Sequence, residues 1–128
     1  MTDQAAISAA LRRGGVIDIT TTGRQTGRSR RIEIVFFNFD GHVYISGLPG
    51  RRGWLANLAA DPTLTFHITS RPHADLPAKA RIIDDAAERR PILERVCTVW
   101  NRQHQLEAFV ARSPLIVVTF EDRAVLAA

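Results

Sequence analysis

Apolar and polar positions alternate with a period of two along much of the chain, and four stretches depart from it toward the period of a helix. Val16–Thr22 (VIDITTT) is rich in β-branched residues and reads as a strand. Arg30–Asn38 reads as a second strand. Asp40-Gly41 is the dipeptide of a tight hairpin, which makes His42–Ser46 the antiparallel partner. Thr63–Thr69 alternates, with Leu64, Phe66 and Ile68 on one face and Thr65, His67 and Thr69 on the other. Ala78–Ile83 and Leu115–Glu121 complete six strands.

The helical stretches fall between them. Asp3–Arg13 is alanine-rich, with Asp3 as the expected N-cap and Gly14-Gly15 as the stop. Arg52–Ala60 sets Trp54, Leu55 and Leu58 on one side and ends at Asp61-Pro62. Asp84-Asp85 precedes a longer helix, Ala86–Gln103. A further helix, Gln105–Ala111, stops at Ser113-Pro114. The order is helix, three strands, helix, two strands, two helices, strand. That order lacks the βαβ alternation of a doubly wound sheet, and its hairpin links predict a mainly β chain with helices (α+β) built on a small antiparallel barrel. The 128 residues are expected to form a single domain, 1–128.

Composition narrows the possibilities. No apolar run is long enough to span a bilayer as a helix, and the first residues lack the cationic and apolar blocks of a secretory leader, so a cytoplasmic protein is expected. Cys97 is the only cysteine and has no disulfide partner. His42, His67, His73 and His104 show no metal-ligand spacing, and no metal is expected. The formal charge is +4 and the isoelectric point about 10.5. The cations are almost all arginine, the residue suited to bidentate phosphate or carboxylate recognition.

Those arginines cluster in two glycine loops. Gly23–Arg31 (GRQTGRSRR) carries Arg24, Arg28, Arg30 and Arg31 between the first two strands. Gly23 and Gly27 can adopt positive φ and expose backbone N–H groups, and Thr26 and Ser29 add hydroxyl donors. The second loop, Gly47–Trp54 (GLPGRRGW), carries Arg51 and Arg52 into a helix start, where free N–H groups attract anions. Neither loop is a Walker A motif or a dinucleotide fingerprint. Two cationic loops flanking one hairpin suit an elongated polyanion. A nucleic acid is not expected, because no recognition motif accompanies the charge.

TTTGRQTGRSRRIEI, VYISGLPGRRGWLANLAADPTLTFHI and ADLPAKARIIDD together resemble the deazaflavin-dependent nitroreductase family, over about residues 16–120. The resemblance implies an actinobacterial flavin/deazaflavin oxidoreductase on a six-stranded split β-barrel, related to the FMN-binding and pyridoxamine-phosphate-oxidase barrels. It implies coenzyme F-420, an 8-hydroxy-5-deazaflavin with a phosphodiester and an acidic tail, as cofactor. It assigns the tail and phosphate to Arg24, Gln25, Thr26, Arg28, Arg30 and Arg31. It assigns the border of the deazaflavin to Tyr44, Ile45, Ser46, Gly47, Arg51, Arg52, Trp54 and Asn57. The implied reaction is hydride transfer to a quinone, an enone or a nitro compound. Tyr44 and His67 are the candidate proton donors, and a homodimer is expected. An FMN-dependent reductase on the same barrel and a non-catalytic cofactor-binding protein are the alternatives. The chain departs from the family at Gln25, where some members carry lysine. Its Ser46–Trp54 loop is also short, and it lacks C-terminal tyrosines, since Tyr44 is its only tyrosine.

Overall fold

A computed structural model describes residues 4–126. Six strands close into one antiparallel barrel: β1 (Gly15–Thr22), β2 (Ser29–Phe39), β3 (His42–Ser46), β4 (Thr63–Ile68), β5 (Ala74–Ile82) and β6 (Leu115–Phe120). The order around the barrel is β1-β2-β3-β6-β5-β4. Four helices surround it: α1 (Gln4–Arg13), α2 (Gly53–Ala60), α3 (Ala86–Trp100) and α4 (Leu106–Arg112). The expected N-cap of α1, Asp3, lies outside the described residues.

The alternation read from the sequence becomes inside and outside. Ile17 and Ile19 of β1, Phe36 of β2, Val43 and Ile45 of β3, Phe66 and Ile68 of β4, and Ile116, Val118 and Phe120 of β6 fill the lumen. Leu11 of α1 and Trp54 and Leu58 of α2 join the same cluster. The β2–β3 turn has Asp40 at φ 57° and Gly41 at φ 87°. Two consecutive positive φ values are what a two-residue hairpin with the right twist requires.

Strand β2 is buried on both sides over its second half, which explains its nearly continuous apolar run. Phe37 and Phe39 point outward and meet Leu93, Val96 and Cys97 of α3 and Phe109 of α4. These helices therefore cover the outer face of β2, β3 and β6. The outer row of β1 and β4, by contrast, consists of Asp18, Thr20 and Thr22 beside Thr63, Thr65 and His67. No second apolar cluster covers it, so threonines and charges suffice there.

Two element boundaries differ from the sequence reading by more than one residue. Strand β5 begins at Ala74 rather than Ala78, running through Pro77. The Pro77 carbonyl accepts from Glu121 N–H at 3.0 Å, so its imide nitrogen also faces the β6 side. The β5–β6 ladder begins only at Ala78 opposite Phe120, and the missing donor is harmless there. Helix α3 ends at Trp100 rather than Gln103. Asn101 takes the left-handed conformation, φ 56° and ψ 47°, with its N–H on the Cys97 and Thr98 carbonyls. Asparagine tolerates that region, and the chain then turns through a 3₁₀ segment, Gln103–Gln105, into α4. At the other end of α3, Asp85 accepts from Glu88 N–H at 3.0 Å, the expected cap.

One buried charge fixes α3 to α4. Arg89 is 8% exposed. Its guanidinium donates to the carbonyls of Ile83 (2.8 Å), Val110 (2.9 Å), Phe109 (3.2 Å) and Ser113 (2.6 Å). Three of these lie at the C-terminal end of α4, where unpaired carbonyls and the helix dipole favour a cation. Desolvation lowers the pKa of Arg89, and the nearby Asp84 charge opposes that. Arg89→Ala is expected to destabilise the protein by about 3 kcal/mol, because charged hydrogen bonds vanish and buried carbonyls lose their donor. Arg89→Lys is expected to recover only part of this, since an ammonium cannot reproduce the fork. Urea unfolding midpoints of the three proteins check both outcomes.

Candidate functional site

The turn joining β1 to β2 closes on itself. Gly27 N–H donates to the Gly23 carbonyl and Gly23 N–H to the Arg28 carbonyl, each at 2.8 Å. Gly27 has φ +71°, and Thr26 Oγ1 accepts from Arg28 N–H at 3.2 Å. A Cβ on Gly23 would stand 2.9 Å from that hydroxyl oxygen and 3.2 Å from the Arg28 carbonyl oxygen. The glycines thus answer to the tightness of the turn.

Helix α2 stands beside this turn. Its N-cap, Arg52, is extended and gives no side-chain cap, so the first-turn N–H groups have no side-chain acceptor. One turn further on, Asn57 reaches across. Its Oδ1 accepts from Arg24 N–H at 3.1 Å and from Arg24 Nη1 at 2.9 Å. Its Nδ2 donates to Thr21 Oγ1 at 3.2 Å. Arg24 Nη1 also approaches the Gly53 carbonyl at 3.4 Å.

Between turn and helix lies an open cleft of about 290 Å³. Arg24, Gln25, Thr26 and Arg30 line one side, and Gly53, Trp54 and Asn57 the other. Thr21 and Ile32 form the floor where the barrel mouth opens, and among the described residues no acidic one lines the cleft. It therefore combines two guanidinium groups, a hydroxyl, amides and helix-start N–H groups with an indole wall. That set has the chemistry to hold an anion beside a flat apolar flank.

The remaining candidates sit elsewhere. Arg28 is exposed on the turn outside the cleft lining. Arg31 points to the outer face and pairs with Asp18 at 2.9 Å. Arg51 is exposed. Arg52 folds back on its own loop, donating to the Leu48 carbonyl at 2.8 Å and the Arg51 carbonyl at 3.2 Å, against Gly47 and Gly50. Ile45 is fully buried in the lumen, and Ser46 Oγ donates to the Pro114 carbonyl at 2.7 Å. Tyr44 belongs to the outer cluster, 6.0 Å from the Phe39 ring. Burial first, then the Glu88 charge, raises its pKa above the usual phenol value. Thr21, Ile32 and Gly53 were absent from the candidate set. Thr21 alternates inward from Ile17 and Ile19, a signal that the TTT run conceals.

His67 is bracketed on the outer face of β4. Nδ1 lies 2.7 Å from Asp75 Oδ1 and Nε2 2.6 Å from Thr20 Oγ1. The tautomer that satisfies both donates from Nδ1 and accepts at Nε2. Neither His67 nor Tyr44 lines the cleft. Among the described residues no group of His, Cys, Asp and Glu is arranged to hold a metal ion, and no helix is long and apolar enough to cross a membrane.

The sequence model of the F420H(2)-dependent quinone reductase family matches residues 1–122. No curated protein matches the chain. Among solved structures, a candidate pyridoxamine 5′-phosphate oxidase of Listeria innocua superposes with a TM-score of 0.71 at 15% identity, covering 93% of this chain and 94% of the other. An F420-H2 dependent reductase (FDR-A) gives 0.60 at 18% identity, covering 82% and 94%. A domain-swapped dimer gives 0.60 at 18% identity, covering 82% and 80%. The fold is thus the split β-barrel shared with pyridoxamine-phosphate-oxidase-like proteins.

The hydrogen bond from His67 holds the Asp75 carboxyl below its usual range, and the charges of His67, Arg31 and His73 add to this. A depressed carboxyl pKa contributes stability above the unfolded value, near 4, that is lost as pH falls through the folded value. Asp75→Asn is therefore expected to flatten the fall of the urea midpoint below about pH 4, relative to the wild type.

Proposed function

The chain belongs to the F420H(2)-dependent quinone reductase family, and from that premise we propose that it holds the reduced deazaflavin coenzyme F-420 in the cleft between the Gly23–Arg28 turn and α2. It is a deazaflavin-dependent oxidoreductase. We propose as its acceptor a small electrophile: a quinone first, then an enone or a nitro compound. The observation that carries this reading is the convergence of Arg24, Arg30 and the uncapped start of α2 on one cleft that has no acidic lining among the described residues.

The donor set fits the anionic part of the coenzyme. Arg24 and Arg30 meet phosphodiester and carboxylate oxygens with guanidinium forks, and Thr26 and the first N–H groups of α2 supply further donors. Trp54 and Ile32 form an apolar wall that orients a planar ring and keeps water from one of its faces. The volume, about 290 Å³, is at the lower edge of what a whole small-molecule ligand occupies, so the exposed arginines of the turn outside the cleft, such as Arg28, would hold the acidic tail. The bound coenzyme supplies the hydride; the protein contributes binding, orientation and exclusion of water. Tyr44 and His67 stand outside the cleft lining, so the accompanying proton comes from solvent at the open mouth. A homodimer is part of this reading, supported by the domain-swapped dimer among the structural relatives, and so is a cytoplasmic location.

Fluorescence titration with coenzyme F-420, and in parallel with FMN, tests the assignment. Binding at micromolar concentration or below is expected for the deazaflavin, with weaker binding of FMN, whose phosphate is compact and lacks an acidic tail. Arg24→Ala combined with Arg30→Ala is expected to raise the dissociation constant at least tenfold. An unchanged constant sinks the site, and a preference for FMN replaces the cofactor. Bleaching of the reduced coenzyme by quinones, enones and nitro compounds then ranks the acceptors.

A further inference from the structure

Resting on that reading, we propose that Asn57 is a positioning residue that acts on the bound anion through Arg24 rather than by its own contact. Asn57 lines the cleft and is 7% exposed. Its carbonyl oxygen has two acceptor sites, and both are filled, by Arg24 N–H at 3.1 Å and Arg24 Nη1 at 2.9 Å. Its amide donates to the buried Thr21 hydroxyl at 3.2 Å. One side chain thus holds the backbone and the guanidinium of the same arginine while standing on the barrel floor.

The physical need is local. Arg24 stands at the exposed start of the Gly23–Gly27 turn and carries a long side chain whose rotamers cost entropy to order. An unanchored arginine there would have to be ordered by the ligand, at an entropic cost that weakens binding. Asn57 orders it beforehand. It takes one hydrogen of Nη1, whose other hydrogen approaches the Gly53 carbonyl, while Nε and Nη2 make no hydrogen bond among the described residues and are left for the anion. An amide does this without neutralising the arginine, whereas a carboxylate at the same position would make an ion pair and cancel the charge the anion needs.

Three measurements decide the matter. Amide hydrogen exchange on the ligand-free protein is expected to quicken at Arg24 at least tenfold in Asn57→Ala, with the amides of Ile19 and Phe66 in the barrel unchanged. An unchanged Arg24 rate overturns the proposal without reference to any cofactor. Titration with coenzyme F-420 is expected to show a tenfold loss for Asn57→Ala and for Arg24→Ala, and a double variant within threefold of the weaker single. Additive losses, about a hundredfold together, overturn it. Asn57→Asp keeps the acceptor and guards against a folding defect: it is expected to protect the Arg24 amide yet still lose tenfold in affinity, with a flatter salt dependence, and wild-type affinity overturns the proposal. If the wild type binds no deazaflavin, the assigned cofactor fails, and the same cycle run with tripolyphosphate decides the role of Asn57.

Discussion

Three phenylalanine rings decide how this barrel closes. Phe66 meets Phe36 edge-on with centroids 5.1 Å apart, and Phe120 edge-on at 5.2 Å. The rings come from β4, β2 and β6, so one contact chain joins strands from different hairpins across the lumen. Each ring gains about 1.5–3 kcal/mol from burial, and an edge-to-face pair adds about 0.5–1.5 kcal/mol. A six-stranded barrel has a narrow interior, and side chains fill it. The open cleft lies where that packing ends, lined by Thr21 and Ile32 beside the β1–β2 turn.

The helices divide their work accordingly. Helices α3 and α4 seal the outward phenylalanines of β2 and are held together by Arg89 on four backbone carbonyls. Helix α2 buries Trp54 and Leu58 against the lumen cluster, and that docking aims its first turn at the β1–β2 turn. Arg52, by satisfying the Leu48 and Arg51 carbonyls, folds the short connection from β3 into α2. A charge that looks available in the chain is spent there on loop geometry, and the cleft's cations come from the other loop.

The two sides of β1 show how one strand serves both stability and binding. Its inward row passes from Ile17 and Ile19 in the core to Thr21, whose hydroxyl receives the Asn57 amide at the cleft floor. Its outward row carries Asp18, paired with Arg31, and Thr20, hydrogen-bonded to His67. Arg30 and Arg31 are consecutive on β2 and therefore fall on opposite faces. One lines the cleft and the other belongs to the outer polar row.

The sequence by itself determined the strands, their hairpin order, the Asp40-Gly41 turn and the mixed α+β barrel. These follow from local periodicity and turn chemistry, and they survive in the structure with shifts of more than one residue only at the start of β5, around Pro77, and at the end of α3, at Asn101. It also marked the Gly23–Arg31 arginines as chemically unusual, and its resemblance to deazaflavin oxidoreductases agrees with the family match. Which of those arginines meet at one cleft was decided by tertiary structure alone. Arg30 enters and Arg31 leaves because pleating assigns faces only once the register with β1 is set. Arg52 is consumed by carbonyls that come within reach only when its loop folds. Asn57 meets Arg24 across 33 positions of chain because α2 docks on the barrel mouth. Periodicity encodes the face a residue takes within its own element, whereas a site joins elements distant in sequence, and only the packed barrel brings them together.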